Sequence, residues 1–329
     1  MYQSTKNGGE NKRRTVNGCF GDGINKSILA ADEAVYSDAR LGIDMGGTNI
    51  KFAVVCGKTP VYKTKIKSPK TIEDIIDVIT EKIFKFKKEY NIKFVGVGVP
   101  GEVRNGLIST DNLPFDKFPF EKVLSERAGM IVTVDNDANC AALGELAFGS
   151  TKDCENIILV TLGTGIGGGI ILNRRVCHSN NNMGELGHII IQAEGGRKCI
   201  CGQSGCWERY CSATALIKEA KRTASKNKES VLYALMCKNG DMTGEVFFEA
   251  IDKGCTVAER VYRRYIKYLA RGIESLANIF GPDVIVLAGG ITEQGDKILK
   301  PLKAELKKDV RIEISSLQSD AGALGAAMM

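Results

Sequence analysis

Two stretches of the chain share one rhythm: a run of β-branched and apolar residues, a glycine-rich turn, and a second such run. The first is Leu41-Gly42-Ile43-Asp44-Met45-Gly46-Gly47-Thr48-Asn49-Ile50-Lys51-Phe52-Ala53-Val54-Val55, and the second spans 156–172 around Gly163-Thr164-Gly165-Ile166-Gly167-Gly168-Gly169. Apolar runs flanking a turn that needs unusual backbone angles predict hairpins. Helical spacing follows the first hairpin, where Ile72, Ile75, Ile76, Ile79, Ile83 and Phe84 come after Thr71, and Asp74 stands three residues beyond that capping threonine. Buried-type strands are expected over 92–99, ending at Pro100-Gly101, over 131–134, ending at Asp135-Asn136-Asp137, and over 284–287, ending at Ala288-Gly289-Gly290. Further helices are expected from Ser212, from Gly244 and over 256–280. Two halves that each open on a glycine-turn hairpin predict paired α/β domains facing one cleft, the product of an internal duplication. The expected division is a smaller α/β domain over 41–136 and a larger one over 137–316, with a C-terminal helix at about 317–329 packing back on the smaller. Residues 1–40 read as a disordered tail or extension, with a short helix around 28–36.

Composition narrows the class. At 329 residues, 43% hydrophobic and 26% charged, the chain is long enough for two domains and ordinary for a soluble globular protein. The net charge of +6 is modest, and much of the Lys and Arg falls on expected helix faces such as 82–88 and 260–267, so neither nucleic-acid nor membrane partners are inferred. No apolar run approaches a bilayer span and Met1-Tyr2-Gln3-Ser4-Thr5-Lys6 lacks a signal core, which makes the cytoplasm the expected location. In that reducing compartment the 11 cysteines are expected as free or metal-bound thiols in preference to disulfides.

Four of the potential ligands cluster. His188, Cys199, Cys201 and Cys206 match the N/S donor set of tetrahedral zinc, with three thiolates on a glycine-relieved loop short enough to wrap one ion. The other histidine, His178, lies outside the cluster in an Asn-rich loop. Four protein ligands leave no open position, so the zinc should be structural. An imidazole bound through one nitrogen becomes a fixed donor at the other. Glu185 and Glu208 bracket the loop, and two carboxylates beside a locked donor suit a polyol such as a sugar, which argues against a zinc ribbon serving only as a staple.

The glycine turns suggest phosphates. Gly163 to Gly168 contains G-x-G-x-x-G, but a strand follows where a dinucleotide fold needs a helix, and Gly57-Lys58-Thr59 lacks the first glycine of a P-loop. What remains is a clamp of two β-turns whose backbone N–H groups approach phosphate oxygens, with Thr48, Asn49 and Thr164 as added donors and Gly289-Gly290 as a third element. Asp44 could orient a hydrated magnesium ion, and Lys51 could neutralise phosphate charge or simply be solvated. A sugar hydroxyl needs a carboxylate to take its proton, and spacing alone does not separate Asp137 from Asp135, for which a structural or helix-capping role is the alternative.

Taken together, these residues resemble the repressor, ORF, kinase (ROK) family of sugar kinases within the actin-like ATPase superfamily, with a ribonuclease H-like fold in each domain. The likeness covers nearly all of the chain from Leu41 on, and its most specific marker is Glu185-Leu186-Gly187-His188 followed by Cys199-Ile200-Cys201-Gly202-Gln203-Ser204-Gly205-Cys206-Trp207-Glu208. The resemblance implies that Asp44, Gly46, Gly47, Thr48, Asn49 and Lys51 form one ATP phosphate loop and Gly163, Thr164, Gly165, Gly167 and Gly168 the other, with Gly289 and Gly290 at the adenosine edge. It further implies Asp137 as catalytic base and Gly101, Asn112, Asn136, Glu185, His188 and Glu208 at the sugar. Asn112-Leu113-Pro114-Phe115 departs from the family's commoner Asn-Leu-Pro-Gly-Trp form at the rim of that site. The expected activity is ATP-dependent phosphorylation of a hexose, glucose to glucose 6-phosphate, since 208–216 looks more like the glucokinase branch than the acetylhexosamine branch. N-acetylmannosamine, N-acetylglucosamine or fructose are the alternative acceptors. A sugar-sensing repressor is the contrasting class, but the segment before Leu41 is short and poor in apolar periodicity for a winged helix. The expected assembly is a homodimer or homotetramer.

Overall fold

A computed structural model describes residues 38–110, 113–178 and 183–329. Residues 1–37 of the expected tail, the helix around 28–36 and the sugar candidate Asn112 lie outside the described residues, whereas Ala39 and Arg40, expected in the tail, belong to the first strand because they pair with Cys56 and Val55.

The first half runs β1 (Ala39–Met45), β2 (Asn49–Cys56), β3 (Thr59–Lys67), α1 (Ile72–Tyr90), β4 (Phe94–Val99), β5 (Glu102–Arg104), β6 (Leu107–Ser109), α2 (Phe120–Ala128) and β7 (Val132–Asn136). The second continues through α3 (Asp137–Phe148), β8 (Ile157–Leu162), β9 (Ile166–Leu172), β10 (Arg175–Val176), α4 (Glu208–Cys211) and α5 (Ala213–Ser225). It ends with α6 (Val231–Lys238), α7 (Gly244–Asp252), α8 (Thr256–Phe280), β11 (Val284–Ala288), α9 (Asp296–Glu305), β12 (Ile312–Ile314) and α10 (Ala321–Ala326).

Both expected hairpins form, and each grows into the same sheet. The strand orders are β3-β2-β1-β4-β7 and β10-β9-β8-β11-β12. In each, three antiparallel strands are followed by two parallel ones. One topology is thus repeated, as a duplication requires. β11, flanked by β8 and β12, is apolar throughout because it is covered on both faces, and all five of its residues are buried.

Local chemistry sets the ends of α1. The Thr71 hydroxyl accepts from the Asp74 N–H, Glu73 and Asp74 sit in the first turn, Lys87 and Lys88 in the last, and Asn91 closes the helix in the left-handed region. Ile75, Ile76, Ile79, Ile83, Phe86 and Tyr90 are buried, whereas Phe84 is 50% exposed. Phe84 therefore does not belong to the apolar face assigned to it from spacing, because Ile83 and Phe86 occupy the inward positions of that turn.

Two helices back the two sheets, and the later one returns to the first sheet. α3 packs on β8 and β9, α10 packs on β1, β2 and β4, and the two helices pack on each other. They approach so closely that a Cβ on Gly325 would collide with the Cys140 carbonyl and one on Gly144 with that of Ala321, while α10 also sits so near β4 that a Cβ on Gly96 would collide with the Ala326 carbonyl. The C-terminal helix is shorter than its expected 317–329 span, with a 3-10 turn at Gln318–Asp320 before it. No described helix is long and apolar enough to cross a membrane.

Candidate active site

Strand β1 ends in the turn that carries Gly46, Gly47, Thr48 and Asn49. The Gly46 N–H donates to the Asn49 carbonyl at 3.0 Å, closing the turn. Its other carbonyls face protein donors: Gly46 O accepts from the Ser68 hydroxyl, Thr48 O from the Ser68 N–H at 2.9 Å and Gly47 O from the Lys70 ammonium at 3.4 Å. Carbonyl oxygens held in this way are not presented to an anion in the turn. Neither Ser68 nor Lys70 could be found from sequence, since the contact depends on the path of β3.

Asp44 and Asp137 line one cavity of 260 Å³ together with Lys51, Thr161, Gly289 and Gly290. The Lys51 ammonium lies 3.3 Å from Asp44 Oδ2 and donates to the Ser319 carbonyl at 2.5 Å, so it is a paired cleft residue and not a solvated strand lysine. Burial raises the Asp44 carboxyl above its usual range even though Lys51 pulls it down. Gly322 at the start of α10 abuts that carboxylate, with its would-be Cβ 2.9 Å from Asp44 Cγ.

Asp137 is the first residue of α3 and does not stand at a strand end, because β7 stops at Asn136. The helix cap is Asn136, whose side-chain oxygen accepts from the N–H groups of Ala138 at 2.9 Å and Asn139 at 3.3 Å. This corrects the capping role considered for Asp135. Asn136 also donates its amide to Gly101 O at 3.0 Å, which brings two of the sugar candidates together. Asp137 Oδ1 accepts from Ala138 N at 2.8 Å, yet burial, helped by the Asp44 and Glu185 charges, pushes its carboxyl up to about 7.

In the second turn, the Gly163 N–H donates to Gly165 O at 3.1 Å and Gly163 O accepts from Ala213 N at 2.8 Å, docking α5 onto it. Gly167 and Gly168 lie inside β9 and not in the turn. Packing already demands them: a Cβ would meet the Thr161 hydroxyl at Gly167 and the Leu186 side chain at Gly168. Gly289, at φ 97°, ends β11 against the backbone of Leu162, where a Cβ would come within 2.7 Å of its carbonyl.

The zinc candidates do meet. The ligand atoms of His188, Cys199, Cys201 and Cys206 all lie within 4.8 Å of one another. Cys199 Sγ is 3.6 Å from His188 Nδ1 and Cys201 Sγ is 3.5 Å from Cys206 Sγ, well outside the disulfide bond length of about 2.05 Å. Burial and the neighbouring thiols push Cys206 up to about 12, a crowding that a bound dication would relieve, so the donor set fits zinc. With Nδ1 turned to the thiols, His188 Nε2 faces outward, 3.8 Å from Glu185 Oε2. Gly202 and Gly205, at φ 88° and 89°, let the loop fold back. Behind it Trp207 is fully buried, donating its indole N–H to Tyr268 O at 3.0 Å on α8. Trp207 thereby fixes Glu208, whose Oε2 accepts from Ile166 N at 3.0 Å and so ties the zinc loop to the second glycine turn.

Comparison with known proteins agrees with this arrangement. The model of the ROK family matches residues 40–329. A glucokinase of Halalkalibacterium halodurans is 35% identical over 306 residues, covering 87% of this chain and 92% of that protein. Among solved structures, a ROK family glucokinase from Streptomyces griseus in complex with glucose and AMPPNP superposes with a TM-score of 0.75 at 29% identity, covering 88% of this chain and 98% of that one. The ROK hexokinase from Thermus thermophilus gives 0.76 at 30% identity, covering 88% and 97%. With its twin sheets, its cleft carboxylates and its Cys3His cluster, the chain belongs to the ROK family.

Proposed function

We propose that the protein transfers the γ-phosphoryl group of ATP to a hexose, with glucose as acceptor and glucose 6-phosphate as product. One observation carries the reading: a buried carboxyl raised to about 7, on Asp137, shares a cavity with Asp44, Lys51 and the Gly289-Gly290 edge. A base that titrates near neutral pH is suited to remove a proton from a hydroxyl as its oxygen bonds to phosphorus. In that step the sugar O–P bond forms, the bond from the γ-phosphorus to the ADP oxygen breaks, and the hydroxyl proton passes to the Asp137 carboxylate.

Binding falls to both sides of the cleft. The nucleotide phosphates lie along the turns at 46–49 and 163–165, and Lys51 offsets their charge; ATP as the donor is in keeping with the AMPPNP bound by the Streptomyces griseus relative. Asp44 is placed to hold a hydrated magnesium ion, which supplies charge neutralisation when bound. The sugar contacts Gly101, Asn112, Asn136, Glu185, His188 and Glu208. Zinc, held by His188, Cys199, Cys201 and Cys206, supplies a rigid structural tie, and the chain's own His188 Nε2 then presents a fixed donor. The two halves, 41–136 and 137–316, with α10 packed back on the first sheet, act as the jaws that exclude water.

A panel of hexoses with ATP and magnesium tests this, with product identified by 31P NMR. Phosphorylation of glucose ahead of N-acetylmannosamine, N-acetylglucosamine and fructose is the expected result. Transfer to an acetylhexosamine alone would move the acceptor, and no transfer to any sugar would refute the reading.

A further inference from the structure

One polar pair beside the cleft has no part in the mechanism above. His178 Nε2 lies 2.8 Å from Asp135 Oδ2. Asp135 stands in β7, two residues before Asp137, and its side chain is only 10% exposed. Its Oδ1 already accepts from the Asn136 N–H at 2.7 Å and from the Asn139 amide at 3.0 Å, so the histidine serves the second oxygen. His178 itself follows β10, where the Cys177 N–H donates to Ile170 O at 2.8 Å, and it comes seven residues before Glu185 and ten before His188. The bond therefore links the strand that leads into Asp137 with the chain segment that leads into two of the sugar candidates.

A partner for a buried carboxylate is the plain account, and two observations go beyond it. The His178 side chain is 62% exposed, so it contributes little packing. The carboxylate's other donors, Asn136 and Asn139, are its near neighbours in sequence, so among the described contacts the one with His178 ties it to a distant segment.

We infer that the His178–Asp135 bond is a latch that sets the sugar-contacting segment against Asp137, which makes both members positioning residues for the acceptor. The inference rests on the sugar-kinase reading. To the extent that the bond's free energy goes into holding the sugar-contacting segment, its loss weakens sugar affinity by up to about tenfold. The latch acts on the acceptor and not on the nucleotide, whose turns lie on other strands.

Steady-state kinetics of His178→Ala and His178→Gln, varying glucose and ATP separately, test it together with thermal melts. His178→Ala should raise KM for glucose by up to about tenfold, with kcat and KM for ATP nearly unchanged and Tm lower by no more than about 2–4 °C. His178→Gln, whose amide N–H can reach Asp135, should recover most of the loss. An unchanged glucose KM in His178→Ala would overturn the latch, as would both KM values and Tm moving together, the signature of a merely structural residue. Calorimetric titration of glucose onto the same proteins reads the latch without turnover. Wild-type protein that binds glucose but does not phosphorylate it would refute the kinase reading, and the titration of His178→Ala would still decide the latch.

Discussion

Replacing Asp137 by Asn should slow the enzyme and stabilise the fold. The carboxyl is raised from 3.8 to about 7 by burial and by the Asp44 and Glu185 charges. At 1.36 kcal/mol per pKa unit, that corresponds to about 4 kcal/mol against the ionised form, an upper bound on what the neutral amide recovers. The sign follows from proton linkage. Between 3.8 and about 7 the folded state holds a proton that the unfolded chain has lost, so wild-type stability falls as pH rises through this window and levels off above it. Asn lacks that dependence and keeps an oxygen for the Ala138 N–H. The gap in Tm between Asp137→Asn and wild type should therefore widen from pH 5 to pH 8, reaching roughly 5–10 °C, with about a third of it present at pH 5. Calorimetry in magnesium-free buffer without substrates measures this, because bound cations would offset the buried charge. In parallel, kcat should drop by about 10² to 10⁴, the usual share of a general base. A variant that melts below wild type at pH 8 would refute the burial argument, and near-normal kcat would refute the assigned base.

Two further changes probe the zinc loop and the crossing of α3 and α10. Cys201→Ser should lower zinc content by elemental analysis and raise the glucose KM together; unchanged sugar affinity in a zinc-free variant would exclude the anchoring role. Gly325→Ala drives a methyl into the Cys140 carbonyl and should destabilise by about 1–3 kcal/mol or more in chemical denaturation, whereas a neutral result would show that the helices can separate at that point.

Features that could be read from the chain are those whose cause is local. Thr71 and Asp74 mark the α1 start because a cap needs only neighbours, and the Cys-x-Cys spacing with His188 meets the needs of one ion. The paired hairpins also revealed the repeat, since alternation and glycine turns act over a dozen residues. Features that depend on distant contacts were missed. The edge strand β3 reads as a lysine-rich segment until Tyr62 and Ile66 are seen packed against the core under α1. β12 has three residues and exists through its parallel pairing with β11. Gly167 and Gly168 were assigned to phosphate binding, but their want of a side chain answers to Thr161 and Leu186. Asn136 and Asp135 differ by one position, and only the geometry at the end of β7 shows which caps the helix and which bonds His178.

A crystal structure of the chain with glucose and AMPPNP bound tests the central claim most directly. The account predicts the sugar 6-hydroxyl within hydrogen-bond distance of the Asp137 carboxylate, the γ-phosphoryl in line beyond it, and Glu185, His188 and Glu208 on the remaining hydroxyls. A sugar bound away from Asp137, or a nucleotide whose phosphates avoid the turns at 46–49 and 163–165, would contradict it.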